Sequence, residues 1–193
     1  MRRLCVFLKY PTPGLVKTRL AVALGSDAAS EVSRLLTEVT LERLEAFRQD
    51  TVLCVDPTSA LARTRALLGR EWFFRPQHGS TLGERLAEVT AHAFAGKARR
   101  VVVVGTDSPW LRPGTIEAAF DALERAEMVI GPARDGGYYL IGLSRCAPAL
   151  FEAMAWSTPL VYADTVMKAR KLGLRFEVLQ EGYDVDHLED LQR

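Results

Sequence analysis

Val101-Val102-Val103-Val104-Gly105-Thr106-Asp107-Ser108-Pro109 is the stretch from which the fold can be read. Four consecutive β-branched residues make a strand buried on both faces, and a glycine, a carboxylate and a proline follow its end. Runs of the same kind recur on either side. Leu4–Leu8, Thr51–Val55, Met128–Ile130, Tyr138–Leu143 and Phe176–Leu179 read as strands, with Trp72–Phe74 a shorter one. Helical patterns separate them: Lys17–Leu24, Ser26 to about Phe47, Pro57–Leu68, a helix opened by the capping box Thr81-Leu82-Gly83-Glu84, Pro113 to about Arg125, and Thr158–Leu172. Strands alternating with helices predict an α/β fold with a mainly parallel sheet. The segment from about Arg134 to Thr158 breaks the alternation and is expected to be a β insertion over the sheet. With no repeat and no linker, one domain spanning 1–193 is expected.

Composition narrows the function classes. The chain is 48% hydrophobic and 25% charged, so it is globular rather than disordered. Lys and Arg total 25 against 24 Asp and Glu, a net charge of +1, which argues against a nucleic-acid partner held by a basic surface. No apolar run reaches the roughly 18 residues that span a bilayer, and the short apolar start is too brief for a signal peptide. The three cysteines, Cys5, Cys54 and Cys146, are odd in number and far apart. They form no C-x-x-C pair and are expected to be buried thiols in a cytoplasmic protein.

Four segments carry candidate chemistry. After the first strand, Pro13-Gly14-Leu15-Val16-Lys17-Thr18-Arg19 sets a tight turn before a helix start with two cations, a phosphate-binding combination. It lacks both the Walker spacing and a G-x-G-x-x-G. The competing reading is a proline-rich surface loop with solvated basic residues. Asp107 stands just past a buried strand, at the edge where open α/β sheets bind ligands, and suits a hard cation such as Mg²⁺ or Mn²⁺. Its alternative is a turn residue before Pro109. Asp135-Gly136-Gly137-Tyr138 could approach a substrate or simply turn a hairpin. Asp184-Val185-Asp186 points two carboxylates to one side of an extended segment, a repulsion that a divalent ion would relieve. Asp186, three residues before Glu189, could instead cap a helix. The histidines His78, His92 and His187 have no nucleophile elbow to serve.

Taken together, Phe7–Leu20, Gln77–Leu86, Val103–Pro109, Ile130–Leu143, Trp156-Ser157 and Asp184–Asp186 resemble, in order and over nearly the whole chain, a bacterial family of glycosyltransferase-A-like proteins often associated with radical-SAM genes. That family is similar in fold to nucleotide-diphospho-sugar transferases and to guanylyltransferases. The resemblance implies a three-layer α/β/α Rossmann-like sheet of the nucleotide-diphospho-sugar transferase (GT-A) type. It also implies a metal-dependent transferase using a nucleotide or nucleotide-sugar donor and a small-molecule acceptor, either a glycosyltransferase or a nucleotidyltransferase. Asp107 matches the metal-binding aspartate, and Asp184 and Asp186 the late acidic pair that completes a Mg²⁺ or Mn²⁺ site. Lys17 and Arg19 match the basic end of the phosphate loop. Together with Pro13 and Gly14 they would hold the donor, Arg85 adding a contact. Asp135, Gly136, Gly137 and Tyr138 would face the acceptor. The first loop departs from the G-x-G-x-R-M pattern of typical nucleotidyltransferases, being proline-rich with Gly14 as its one glycine. A catalytically inactive nucleotide-binding module of the same fold is the alternative.

Overall fold

Side chains alternate along β1 (Arg2–Lys9), and this alternation builds two cores. Leu4, Val6 and Leu8 enter one, Cys5 and Phe7 the other. In the computed structural model, which describes residues 1–192, β1 lies inside a seven-stranded sheet. Its companions are β2 (Thr51–Asp56), β3 (Phe73–Pro76), β4 (Arg100–Val104), β5 (Met128–Pro132), β6 (Tyr138–Leu143) and β7 (Phe176–Val178). The order is β3-β2-β1-β4-β6-β5-β7. β6 runs antiparallel to β4 and β5, and the other pairings are parallel. Arg193, the last residue of the expected 1–193 domain, lies outside the described residues.

Helices cover both faces and complete the three layers. α2 (Ser26–Arg43), α3 (Leu61–Leu68) and α5 (Pro113–Ala122) close the first core, where Leu41, Ile116 and Phe120 meet Val102 and Val104. α4 (Leu82–Ala95) and α6 (Val161–Lys171) close the second, with Leu86, Val89 and Ala169 against Val101, Val103 and Ile141. α1 (Thr18–Leu24) packs on α2. A buried Leu or Phe of this kind contributes about 1.5–3 kcal/mol, so the two apolar layers dominate the stability.

Several expectations need correcting. The Arg134–Thr158 segment does not lie over the sheet: its strand, β6, is inserted between β4 and β5. The helix from Ser26 ends at Arg43 rather than near Phe47, and a 3₁₀ segment, Glu45–Asp50, leads into β2. The helices expected from Pro57 and Thr158 begin at Leu61 and Val161, and the helix from Pro113 ends at Ala122. Thr81 caps α4 as expected, its hydroxyl accepting from Glu84 N, and the Glu84 carboxylate reaches back over the helix start, where it also accepts from the amide and hydroxyl of Ser80. The Asp186 carboxylate faces Lys17 and Arg19, and the amides of Asp186 and His187 donate to Asp190. Cys5 and Cys54 are buried, but Cys146 is exposed because it falls in the turn after β6.

Candidate functional site

From β1 the sheet grows one way through β2 and β3 and the other way through β4, so the chain order reverses at the β1/β4 pair. Such a reversal opens a crevice beyond the carboxyl ends of the strands. Two of the candidate segments leave from these two strands. β6, being antiparallel to β4, starts at the same edge, which brings Tyr138 and Tyr139 there. A cavity of about 780 Å³ opens at this edge.

The loop after β1 is shaped by backbone rather than by side chains. Gly14 adopts φ 79°, in the left-handed region, and Leu15 N donates to Thr12 O at 3.0 Å. Lys17, the residue before α1, is also left-handed, at φ 47° and ψ 44°. A lysine there costs about 1–2 kcal/mol relative to a right-handed conformation, so its neighbours must hold it in place. Three contacts do so: Lys17 Nζ lies 2.6 Å from Asp107 Oδ1 and 3.0 Å from Asp186 Oδ1, and donates to Val185 O at 2.7 Å. Its side chain is 5% exposed, whereas that of Asp107 is 49% exposed. Burial alone would pull the lysine pKa down, but the Asp107 and Asp186 carboxylates outweigh it and leave the value raised. Two such pairs are each worth about 4 kcal/mol near 4 Å at an effective dielectric of 20, so attraction exceeding the burial penalty is the expected balance.

The last stretch of chain is strapped across the same edge. Gly182 N donates to Pro132 O, Tyr139 Oη to Gln180 O and Trp110 Nε1 to Tyr183 O. Val185 N then donates to Asp107 O at 2.9 Å, fixing the late acidic pair beside the end of β4. Asp186 turns to Lys17 and to Arg19 Nη1, 3.5 Å away. Asp184 turns inward and accepts from the Ser108 hydroxyl. Burial above all pushes the Asp184 carboxyl up to about 6, the Ser108 bond and Lys17 opposing and the charges of Asp107 and Asp135 adding to it.

That shift predicts a pH dependence of stability. An aspartate whose native pKa lies above its unfolded value holds a proton more readily when folded. Its contribution to stability is therefore largest below about pH 4 and declines as pH rises to about 6. Asp184→Asn removes this titration. The melting temperature of the variant relative to the parent should climb between about pH 4 and pH 7, by the equivalent of roughly 2 kcal/mol. A difference that stays flat over that range would show that Asp184 is not a buried acid.

Of the residues singled out from the sequence, Lys17, Arg19, Arg85, Asp107, Tyr138, Asp184 and Asp186 line the cavity. Pro13, Gly14, Asp135, Gly136 and Gly137 do not. Asp135 Oδ1 accepts from Gly137 N in the β5–β6 hairpin, and Gly136 backs directly onto Pro159 with no room for a Cβ. Tyr138 is present mainly through its ring. Its hydroxyl is buried, with Thr165 its polar neighbour, and burial raises its pKa above the usual phenol range. Sequence reasoning missed Asp56 and Gln77. Asp56 ends β2 and holds Arg85 Nη1 at 3.0 Å, while Gln77 Nε2 donates to Cys54 O at 2.8 Å. Asp56 stands past a buried strand just as Asp107 does, so the same strand-end rule could have found it.

As a cation site, the cluster offers hard oxygen donors suited to Mg²⁺ or Mn²⁺. Among the described residues no three His, Cys, Asp or Glu side chains are grouped so as to hold a metal ion. All three carboxylates have partners: Asp107 and Asp186 share Lys17, and Asp184 accepts from Ser108. Asp186 faces a second cation, Arg19, so Asp107 and Asp184 are the pair less neutralised by neighbouring charge. Two carboxylates fit a Mg²⁺-type ion whose remaining ligands come from substrate phosphates and water.

The family model described as "Uncharacterized protein conserved in bacteria (DUF2064)" matches residues 40–158, more than half of the chain. The chain belongs to the DUF2064 family. A crystal structure from Desulfovibrio desulfuricans G20, provisionally described as a nucleotide-diphospho-sugar transferase, is 36% identical with a TM-score of 0.93, covering 98% of this chain and 84% of that one. CMP:2-keto-3-deoxy-manno-octonic acid synthetase, solved with CTP, shares the fold at a TM-score of 0.61 and 11% identity, covering 99% and 95% of the two chains. The manganese complex of Rv0371c from Mycobacterium tuberculosis H37Rv does so at 0.56 and 18%, covering 100% and 97%. No protein of curated function matches the chain. The fold of this DUF2064 protein is therefore that of the nucleotide-diphospho-sugar transferases. No helix among the described residues is long and apolar enough to cross a membrane.

Proposed function

We propose that this chain is a metal-dependent transferase that takes a nucleotide donor, a nucleoside triphosphate or a nucleotide sugar, and passes part of it to a small-molecule acceptor. The observation that carries the reading is the convergence of Lys17, Asp107 and the 184–186 segment at the β1/β4 reversal. A fold shared with a CTP-bound synthetase and with a protein solved with manganese supports it.

Lys17 and Arg19 hold the outer donor phosphates, both bordering the cavity, Lys17 against Asp107 and Asp186 and Arg19 against Asp186. A divalent ion on Asp107 and Asp184 would offset the charge that develops on the leaving phosphate. Ser108 orients Asp184 by donating to it, and the amide of Val185 keeps the acidic segment from drifting away from Asp107. Arg85, tied to Asp56, presents its guanidinium to the donor from the β2 side of the crevice. The acceptor enters on the other side, beside Tyr138 and Tyr139 at the start of β6. A cytoplasmic, reducing setting suits two buried free thiols and one exposed one.

The test is a thermal-shift panel of nucleoside triphosphates and nucleotide sugars with and without Mn²⁺, followed by mass spectrometry of the products. A true donor at about 100 times its Kd should raise the melting temperature by roughly 5–10 °C and yield a transferred product with a suitable acceptor. Stabilisation without product under any acceptor would favour the inactive nucleotide-binding module. A panel in which no nucleotide shifts the melting temperature would overturn both.

A further inference from the structure

Lys17 carries a consequence that reaches beyond phosphate holding. An ammonium has three N–H donors. Those of Lys17 have three oxygens within reach: Asp107 Oδ1 at 2.6 Å, Val185 O at 2.7 Å and Asp186 Oδ1 at 3.0 Å. Two carboxylates and a backbone carbonyl are also the oxygen set that a hard divalent cation takes from protein. The side chain is 5% exposed and its backbone is held left-handed at the residue before α1, so this is a built position rather than a surface encounter.

We infer that the Lys17 ammonium is the resident cation of this acidic cluster and competes with divalent metal for Asp107. Resting on the donor reading above, the inference adds an order of events. With its three donors engaged, Lys17 can bind a donor phosphate only by releasing an oxygen it already holds. Asp107, the more exposed of its two carboxylate partners, is the one nearest open solvent. A phosphate that draws the ammonium away therefore frees Asp107 for a metal ion. Metal and donor then enter together, and metal alone binds weakly.

Titration with Mn²⁺ alone, followed by the loss of the free-ion EPR signal, tests this without any donor. Lys17→Met should bind Mn²⁺ at least about tenfold more tightly than the parent, because a +1 charge within 3.0 Å of two of the carboxylates has gone. Arg19→Met also removes one positive charge. It lies 3.5 Å from Asp186 at an exposed position, and it should change Mn²⁺ affinity by no more than about twofold. The double variant Lys17→Met with Asp107→Asn should lose the gain. Melting curves check that each variant is folded, and Lys17→Gln carries the same test if Lys17→Met is not. An affinity in the folded Lys17 variant no tighter than the parent's, or an equal gain in Arg19→Met, overturns the inference. Neither result bears on whether a nucleotide is used, which the thermal-shift panel decides separately.

Discussion

Asp107→Asn is expected to lower turnover by roughly 10²-fold or more while the protein stays folded. Asparagine has the same outline as aspartate, and the turn after β4 is fixed by backbone, with Val185 N donating to Asp107 O. What disappears is one negative charge, on a side chain half exposed in the free protein. Set against the cost of desolvating Lys17, the Coulomb attraction of this pair leaves a net contribution of about 1 kcal/mol because Asp107 is half exposed, and Lys17 retains Asp186 and Val185 O. The melting temperature should fall by no more than about 4 °C. The charge matters far more once a donor is bound, because it would then hold a cation against phosphate. Product formation measured by mass spectrometry, beside a melting curve, separates the two effects. A folded Asp107→Asn protein with undiminished turnover would remove Asp107 from the mechanism and leave the crevice as a binding site only.

The sequence makes some parts of this arrangement legible and hides others, for physical reasons. Strands β1, β2 and β4 are buried on both faces, so their apolar runs stand out without any knowledge of their neighbours. β6 is just as apolar because it too is central. Its burial pattern therefore announces a strand but says nothing of its antiparallel direction or its place between β4 and β5. Asp107 and Lys17 can be found locally, one following a strand and the other following a Pro-Gly turn. Their direct contact joins residues 90 positions apart in sequence, which no local pattern encodes. Asp186 shows how tertiary charge overrides a local signal. Its spacing to Glu189 favours an N-cap, but Lys17 and Arg19 draw the carboxylate away, while Asp190, not Glu189, accepts from the Asp186 and His187 amides. Asp56 was hidden by the proline that follows it, which suggests a helix start; in the structure it ends β2 and anchors Arg85.

Gly182→Ala should damage both stability and activity, although Gly182 is not a lining residue of the cavity. The glycine passes so close to the Trp110 indole that a Cβ would overlap the ring. Neither side can yield cheaply. Trp110 packs edge-on against Tyr139, with ring centroids 4.6 Å apart, and donates its indole N–H to Tyr183 O. Gly182 N donates to Pro132 O at 2.9 Å, and Gly182 O accepts from Arg134 N at 3.0 Å, so the backbone is held on both sides. Overpacking of this kind costs about 1–3 kcal/mol, which corresponds to a fall of roughly 3–10 °C in melting temperature. The strain is relieved most easily by lifting the strap, and two residues further on the strap carries Asp184 and then Asp186. Moving it separates Asp184 from Ser108 and Asp186 from Lys17, so turnover should drop more steeply than the stability loss explains, measured well below the melting temperature. Adding Trp110→Leu opens space beside residue 182 at the expense of the indole bond. If the strap's position is what matters, this second change should restore part of the turnover even while the melting temperature stays low. A Gly182→Ala protein that melts and turns over like the parent would mean that the chain from 180 to 186 is not what sets the geometry of the late carboxylates.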